Sequence, residues 1–406
     1  MLACRVRWSS RALAVSLHRR YSEHMSSTAP QIPPAPPGGV TEQHVHLGGS
    51  VSIYRLWEMG QMRGIRGLGS YEQFVNQAQR RPENSGSLDE YLRIFDLVEA
   101  IQSGPQSVRE SIHVAVSGAF RTGGMRRLGP GGEGADLEPP LAVRKLELRL
   151  CPLKRTGAPF LRGEHAGLYD LDRVMMAACE AAAETEVIYR GAMRVGLIFC
   201  FGRDLTWEAN AVLAAKTRKW RAAYPNLIGI DLAGSERACS LADPSDRARM
   251  RDLFSEAGGT GAGALGRTIH CGETPSVDLD TFVATLQALE PQRVSQPLAA
   301  VHAYWERGDD RGLHLLADRR ITCELCPWSN HLTGALPIER TGALLTLLDR
   351  FHIGYTINTD SPALQKTSLA LEIELLLSRG GAQSEQISRA FATAEASSFL
   401  PRLAGR

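Results

Sequence analysis

The chain has 406 residues and is nearly neutral, because 46 Lys and Arg residues face 44 Asp and Glu residues for a formal charge of +2. This balance does not indicate a basic nucleic-acid-binding surface, so we expect a small-molecule partner and no nucleic acid. The hydrophobic fraction of 43% supplies a large core. No uninterrupted apolar run reaches about 18 residues, so no transmembrane helix and no membrane partner are expected.

The N-terminal segment differs in composition from the rest of the chain. Its first 22 residues contain five arginines, several serines and no acidic residue, which is typical of an organelle transit peptide. This predicts mitochondrial import, whereas initiation at Met25 would give a cytoplasmic form. Residues 29–39 are rich in proline and are interpreted as an extended linker. We therefore expect a non-globular segment over 1–39 and one folded domain over 40–406.

After the linker, short apolar runs alternate with amphipathic helical segments, a pattern typical of parallel strands covered by helices. Ser87 and Asp170 have the character of helix caps. The Gly-rich stretch over 123–140 is interpreted as a flexible surface insertion. Eight strands are predicted: the run that contains His44 and His46, Val143–Leu150, Val195–Phe201, Leu227–Leu232, Arg267–His270, Val301–Tyr304, Ile321–Cys326 and Gly354–Asn358.

The cysteines do not form a dense framework. Eight are spread over the chain, and only Cys323 and Cys326 lie close together in sequence. This dispersion favours a reducing compartment. Residues three apart on a strand face opposite sides, so the close pair is interpreted as buried thiols and not as a zinc ribbon.

His44 and His46 are separated by one residue in the first predicted strand, which points both rings to the same face. Imidazole suits Zn²⁺, and two rings on a rigid strand form half of a metal site. Histidines that cap a strand or satisfy a local hydrogen bond have the same spacing. The pair alone therefore leaves both interpretations open.

Other chemically capable residues follow later strands. In a parallel barrel the catalytic groups cluster at the carboxyl ends of the strands. Three histidines and one carboxylate complete a hydrolytic zinc sphere, while a further acid and histidine handle protons. The residues at the later strand ends are Gly234 with Glu236, His270 with Glu273, His302, and Asp360.

Four motifs follow one another along the chain: the His-Val-His run at 44–46, Ile230–Glu236, Thr268–Glu273 and Cys326–Gly334. In this order they resemble the adenosine deaminase family of zinc-dependent amidohydrolases, with the second similar to its purine-contacting loop, the third to its His-Ala-Gly-Glu motif and the fourth to its most recognisable block. The similarity extends from about Thr41 to Ser397 and implies an α/β fold, an elaborated TIM (β/α)8 barrel with extra helices and surface insertions.

The resemblance implies hydrolytic deamination of adenosine or a close 6-aminopurine nucleoside to the 6-oxo product and ammonia. Glu273 would be the general acid that protonates N1 of the purine, and Gly234 would contact the base through its backbone. One Zn²⁺ per chain would activate the water that attacks C6. Its implied ligands are His44, His46, His270 and Asp360.

The family's catalytic histidine has no clear counterpart, because its Arg-Ile-Gly-His-Gly motif is not intact. Arg293–Pro297 is one altered copy and places Gln296, which cannot accept a proton, at the catalytic position. Counting back without a gap from Glu324 and Cys326 places His302 there instead. We expect His302 to orient the water and accept its proton, with an ordinary strand histidine as the alternative.

Two departures from the family's usual residues leave the identity of the substrate open. Gly48 stands where the family usually has an acid that contacts the ribose 5′-hydroxyl, and Ser361 stands where it has a second Asp that contacts the purine. We expect both positions to lie against the substrate. Lys154 and Arg155 either contact a phosphate or form a solvated basic pair. The alternatives are therefore adenine, a modified or phosphorylated adenosine such as N6-methyl-AMP, or a purine-binding scaffold without turnover.

Overall fold

The computed structural model describes residues 32–36, 38–84, 86–122, 141–157, 169–261 and 263–401. The predicted transit segment and the Gly-rich stretch over 123–140 lie outside these ranges, so both remain predictions. None of the helices in the described ranges is long and apolar enough to cross a membrane.

Eight parallel strands in the described residues form one sheet in which each strand pairs with the next along the chain. The first and last strands meet where His46 N donates to Asp360 O at 2.7 Å and Asp360 N donates to His44 O at 3.0 Å. The strands are β1 (Val40–His46), β2 (Val143–Leu150), β3 (Arg194–Gly202), β4 (Leu227–Ala233), β5 (Gly266–His270), β6 (Arg293–Ser295), β7 (Thr322–Leu325) and β8 (Tyr355–Ile357). The predicted elaborated (β/α)8 barrel is confirmed.

Helices surround this barrel and connect its strands. The first half of the chain contains α1 (Leu47–Ser50), α2 (Ile53–Met62), α3 (Tyr71–Ala78), α4 (Leu88–Ile101), α5 (Pro105–Thr122), α6 (Leu171–Ile188) and α7 (Trp207–Arg221). The second half contains α8 (Pro244–Gly258), α9 (Leu279–Leu289), α10 (Leu298–Arg307), α11 (Arg311–Asp318), α12 (Pro327–Leu332), α13 (Thr341–Arg350), α14 (Leu369–Ser378) and α15 (Ser384–Ser397). Ser87 and Asp170 cap α4 and α6 as predicted.

The predicted strand over Val301–Tyr304 is wrong, because these residues lie within α10. The sixth strand is the three-residue β6. Leu298 and Val301 are buried one helical turn apart, which places them on the same face of α10. By contrast, β6 presents the charged Arg293 to the barrel interior, so it has no apolar alternation that reveals a strand.

The strands are buried on both faces, as expected for a parallel sheet covered by helices. In β2, the apolar side chains of Leu146, Leu148 and Leu150 belong to the main hydrophobic core. Glu147 and Arg149 alternate with them and are also fully buried. Because side chains alternate along a strand, these charged groups face the barrel interior, below the candidate site.

Candidate active site

Three histidine rings meet at the carboxyl ends of β1 and β5. His46 Nε2 lies 3.3 Å from His270 Nε2, and the ligand nitrogens of His44, His46 and His270 all lie within 4.8 Å of one another. The buried Nε2 atom of His44 has no hydrogen-bond partner among the described residues. A buried ring nitrogen without a partner beside two others is the arrangement expected of a metal site.

Asp360 follows β8 and adds a carboxylate to these rings. Its backbone has a φ of 59°, and its Oδ1 lies 3.8 Å from His46 Nε2. Its carboxylate accepts hydrogen bonds from Ser329 Oγ at 2.6 Å and from Ser361 Oγ at 2.9 Å. Three imidazoles and a carboxylate form a donor set that suits Zn²⁺. The structure therefore brings together all four ligands expected from the sequence.

Buried partners orient the outer nitrogens of two of these rings. Nδ1 of His44 lies 2.8 Å from Glu324 Oε2, and Nδ1 of His270 lies 3.1 Å from Asp231 Oδ2. A proton on Nδ1 that is donated to a carboxylate leaves Nε2 free to bind a metal. The hydrogen-bonding pattern therefore fits a metal bound through both Nε2 atoms.

The protonation of the rings depends on this environment. Burial lowers the pKa of His44 to about 3, helped by the positive charge of Arg149. Burial also lowers the pKa of His46 well below its usual value. Burial alone would lower the pKa of His270, but Asp231 outweighs this effect and raises it. His44 and His46 therefore favour the neutral form that binds a metal, whereas Asp231 favours the protonated form of His270, with which a metal would compete.

Glu324 is the centre of the charged network below the histidines. Its carboxylate accepts from Arg149 Nη2 at 2.8 Å and from Ser295 Oγ at 2.6 Å, and it lies 2.7 Å from Arg293 Nε. Burial alone would raise the pKa of Glu324, but Arg149 and Arg293 outweigh it and hold the pKa well below its usual value. The carboxylate therefore stays ionised and fixes the His44 ring.

Glu273 lies on the loop after β5, close to the metal site. Glu236 positions this loop, because its carboxylate accepts from Gly272 N at 2.6 Å, Thr274 N at 2.8 Å and Thr274 Oγ1 at 2.6 Å. Burial raises the pKa of Glu273 to about 8, although His270 acts in the opposite direction. Glu273 is therefore protonated at neutral pH and suited to act as a general acid.

A cavity of about 260 Å³ lies above these groups. His46, His270, Glu273 and Asp360 contribute to its wall, and side chains of α4 such as Phe95 contribute another part. Gly234, with a φ of 99°, also lines it as expected from the sequence. The combination of apolar walls with a few convergent polar groups is typical of a small-molecule site.

Two basic residues line the end of the cavity beside Gly48. A Cβ at Gly48 would lie 2.9 Å from Phe95 Cδ1 and 3.3 Å from Arg155 Nη2, so the glycine permits both groups to approach. Arg155 is buried and lines the cavity together with Lys154. The prediction of a solvated basic pair is therefore wrong.

Gln296, and not His302, follows the sixth strand. Ser295 pairs with His270 and Glu324 in the sheet, which places Gln296 one residue further toward the carboxyl ends of the strands. His302 lies on α10 and lines a separate cavity of about 450 Å³, to which Glu273 also contributes. The structure does not place His302 in the 260 Å³ cavity. The predicted position of His302 on the sixth strand, from which its role as proton acceptor was inferred, is therefore wrong.

Ser361 also differs from its expected place. It is fully buried, donates to Asp360, and is not part of the wall of the 260 Å³ cavity. A Cβ at Gly49 would lie 2.2 Å from the Cβ of Ser361, so this serine fills the space beside α1. Its contacts are those of a residue that positions a metal ligand.

Several partners of the site were not predicted as site residues. Arg149, Asp231 and Glu324 lie within buried strands and carry charge where an apolar residue is usual. Because buried charges are costly unless they are paired, such residues indicate partners across the barrel. This signal is visible in the sequence, but the pairing is not.

A (β/α)8 barrel with this donor set and a protonated carboxyl group beside it defines a metal-dependent hydrolase. The sequence profile of the adenosine deaminase family matches residues 142–404. The chain belongs to the adenosine deaminase family.

Among curated relatives, the adenosine deaminase of Xenopus tropicalis is 28% identical over 208 residues, which are 50% of this chain and 52% of that protein. The chain thus matches about half the length of this relative. The mouse adenosine deaminase is 29% identical and matches over 89% of this chain and 92% of its own. The adenine deaminase of Rhizobium johnstonii is 32% identical over 47% of this chain and 54% of that protein.

Solved structures share the fold at low sequence identity. An adenine deaminase from Arthrobacter aurescens has a TM-score of 0.68 at 18% identity and covers 89% of this chain and 94% of its own. The N6-mAMP deaminase of Arabidopsis has a TM-score of 0.64 at 19% identity, with 90% and 95% covered. A zinc-bound amidohydrolase from Burkhoderia ambifaria has a TM-score of 0.67 at 16% identity, with 89% and 86% covered.

Proposed function

We propose that this protein deaminates adenosine or a close 6-aminopurine nucleoside by hydrolysis at C6, with one Zn²⁺ per chain. The observation that carries the proposal is the meeting of three imidazoles and Asp360 with the protonated Glu273 at one small cavity. The products are the 6-oxo nucleoside and ammonia. This chemistry also fits the family to which the chain belongs.

Each residue has a defined task in this reaction. Zn²⁺ bound by His44, His46, His270 and Asp360 would supply a hydroxide nucleophile at neutral pH. Glu273 donates its proton to N1 of the purine, so that negative charge does not build up on the ring as C6 becomes tetrahedral. Glu236 holds the loop that carries Glu273.

The far end of the cavity favours a nucleoside over a free base or a nucleotide. The wall continues from the metal site past Gly48 to Lys154 and Arg155, which leaves room beyond a purine ring. Lys154 and Arg155 line this end of the cavity, and their side chains carry N–H donors that suit sugar oxygens.

A phosphate is less suited to the same place. Lys154 Nζ lies 2.7 Å from Asp204 Oδ2, and Arg155 Nη2 lies 3.8 Å from Glu99 Oε1. Each base therefore faces an acid, and the described residues at this end of the cavity carry no excess positive charge to attract a dianion. Neutral hydroxyl groups meet both donors and acceptors there.

A second candidate is a purine-binding protein with little or no turnover, which the position of Gln296 favours. Its amide orients water but cannot accept a proton. Against this candidate stand the complete donor set and the raised pKa of Glu273, because a binding protein does not require either group.

The test is a side-by-side assay of the zinc-loaded full chain on adenosine, adenine, AMP and N6-methyl-AMP, following release of ammonia or methylamine. We expect release from adenosine. Release from another compound alone would reassign the substrate. If none of the four compounds releases ammonia or methylamine, while one zinc is bound per chain and adenosine binds in a separate titration, the result would favour the purine-binding protein.

A further inference from the structure

Two cysteine thiols lie side by side in the wall of the 260 Å³ cavity. Leu150, the last residue of β2, pairs with Phe199 of β3. The residues that follow them, Cys151 just after β2 and Cys200 within β3, are therefore neighbours. Both cysteines pack in one cluster with Leu205. Both line the cavity that also holds His46 and Glu273.

The alternation of side chains explains why both thiols face inward. Leu150 and Phe199 belong to the core between the strands and the outer helices. The next residue on each strand must point to the opposite face, which is the interior. Cys151 and Cys200 are free, buried thiols with 7% and 3% exposure, and the cavity is their access to solutes.

From this placement we propose that Cys151 and Cys200 form a dithiol site that captures a trivalent organoarsenical, a thiophilic metalloid with two exchangeable ligands. The reaction R–As=O + 2 R′SH → R–As(SR′)2 + H2O, in which R′SH is a cysteine, forms two As–S bonds, releases the oxygen as water and changes no oxidation state. The product carries no charge, so it adds no ion to the buried wall.

The spacing of the strands favours a bridging atom over a disulfide. Neighbouring strands lie about 4.8 Å apart, and side chains at paired positions run parallel. Trivalent arsenic is pyramidal, so two bonds of about 2.3 Å, taken from the Zn–S distance, at an angle near 100° hold the sulfurs about 3.5 Å apart, which is wider than the ~2.05 Å of a disulfide. A disulfide needs Cβ atoms about 3.5–4.5 Å apart, which would require the strands to move.

Burial keeps the two thiols protonated and protects them from single-thiol reagents. Burial raises the pKa of Cys151 to about 11 and that of Cys200 well above its usual value. Cys200 Sγ also donates to Asp231 Oδ2 at 3.7 Å. Because the thiolate is the reactive form, the raised pKa slows attack by either thiol, so retention of the arsenical against a monothiol rests on its two As–S bonds, both of which must break for release.

Capture would also exclude the purine, a consequence that rests on the proposed function because it takes this cavity as the substrate site. The test incubates the full, zinc-loaded chain with phenylarsine oxide and then with excess 2-mercaptoethanol, a monothiol. Intact mass spectrometry measures the retained adduct. Half-buried Cys239 provides a matched control.

We expect one retained adduct on the wild-type chain and on Cys239→Ser, its loss from Cys151→Ser and Cys200→Ser, and its removal by dithiothreitol. Bound adenosine should slow capture. As a check on the wild-type chain itself, alkylation in denaturant should leave both Cys151 and Cys200 unmodified after capture.

Retention of the adduct by both serine variants, removal by the monothiol, or a Cys151–Cys200 disulfide in place of the adduct would overturn the proposal. If bound adenosine does not change the rate of capture, the dithiol site does not lie in the substrate cavity. Because mass spectrometry does not depend on turnover, an inactive enzyme would contradict the proposed function and leave this test intact.

Discussion

Gln296→His should increase the rate of deamination. Gln296 is 1% exposed and lies directly after β6. Its Oε1 accepts only a long hydrogen bond of 3.4 Å from Cys326 N, and its Nε2 has no partner among the described residues. Gln296 does not line the 260 Å³ cavity, but Cys326, its hydrogen-bond partner, has its Sγ within 4.8 Å of the ligand atoms of His44 and Asp360. Replacing the amide therefore costs little existing hydrogen bonding, and imidazole adds a proton acceptor close to these groups.

The expected size of the rate increase follows from the role of general base, which the histidine would supply. A positioned general base contributes about 10²–10⁴-fold to a rate, which corresponds to about 2.7–5.5 kcal/mol of barrier. The assay is kcat for adenosine at equal zinc content, with Gln296→Asn as the control because it alters the side chain without adding a proton acceptor. A folded, zinc-loaded histidine variant whose kcat stays within twofold of the wild type would refute the reasoning.

Three further predictions use other parts of the structure. His302→Gln should leave kcat unchanged within about twofold, because His302 lines the separate 450 Å³ cavity. A fall in kcat as large as that of Glu273→Gln would show that His302 takes part in catalysis. Gly48→Ala should lower the free energy of unfolding by about 1–3 kcal/mol through overpacking, since its Cβ would lie 2.9 Å from Phe95. Gly118→Ala serves as the control, because its Cβ would meet no atom of another described element within 4 Å. Burial raises the pKa of Glu372 from 4.5 to about 8, so its contribution to stability is present below pH 4.5 and is lost as pH rises toward 8, by up to about 1.4 kcal/mol per pH unit. Urea unfolding should show Glu372→Gln gaining stability relative to the wild type between pH 5 and 8, and a constant difference would contradict the buried, protonated carboxyl.

The sequence predicted the barrel, and the meeting of the four candidate metal ligands, because the signals were local. Seven of the eight predicted strands coincide with strands in the structure. His44, His46, His270 and Asp360 sit at strand ends, and parallel strands bring their ends together. The prediction failed at β6, which has three residues and a buried arginine.

The partners inside the barrel could not be predicted because pairing depends on register. The contact of Arg149 with Glu324 joins residues 175 positions apart, and no local pattern encodes that distance. The same holds for Lys154 and Arg155, whose sequence is that of a surface pair although the fold encloses them. Ser361 was assigned to the substrate because it stands where the family usually has a second Asp, whereas its hydroxyl donates to Asp360 instead.

The central claim is that the cluster of His44, His46, His270 and Asp360 binds a zinc ion that supports hydrolysis at C6. The most direct measurement titrates Zn²⁺ into the metal-free chain and follows bound zinc and inosine formation from adenosine together. We predict that the rate rises with bound zinc, saturates at one zinc per chain, and is abolished in Glu273→Gln, which still binds zinc. Saturation with one zinc per chain and no inosine above the Glu273→Gln background would contradict the account.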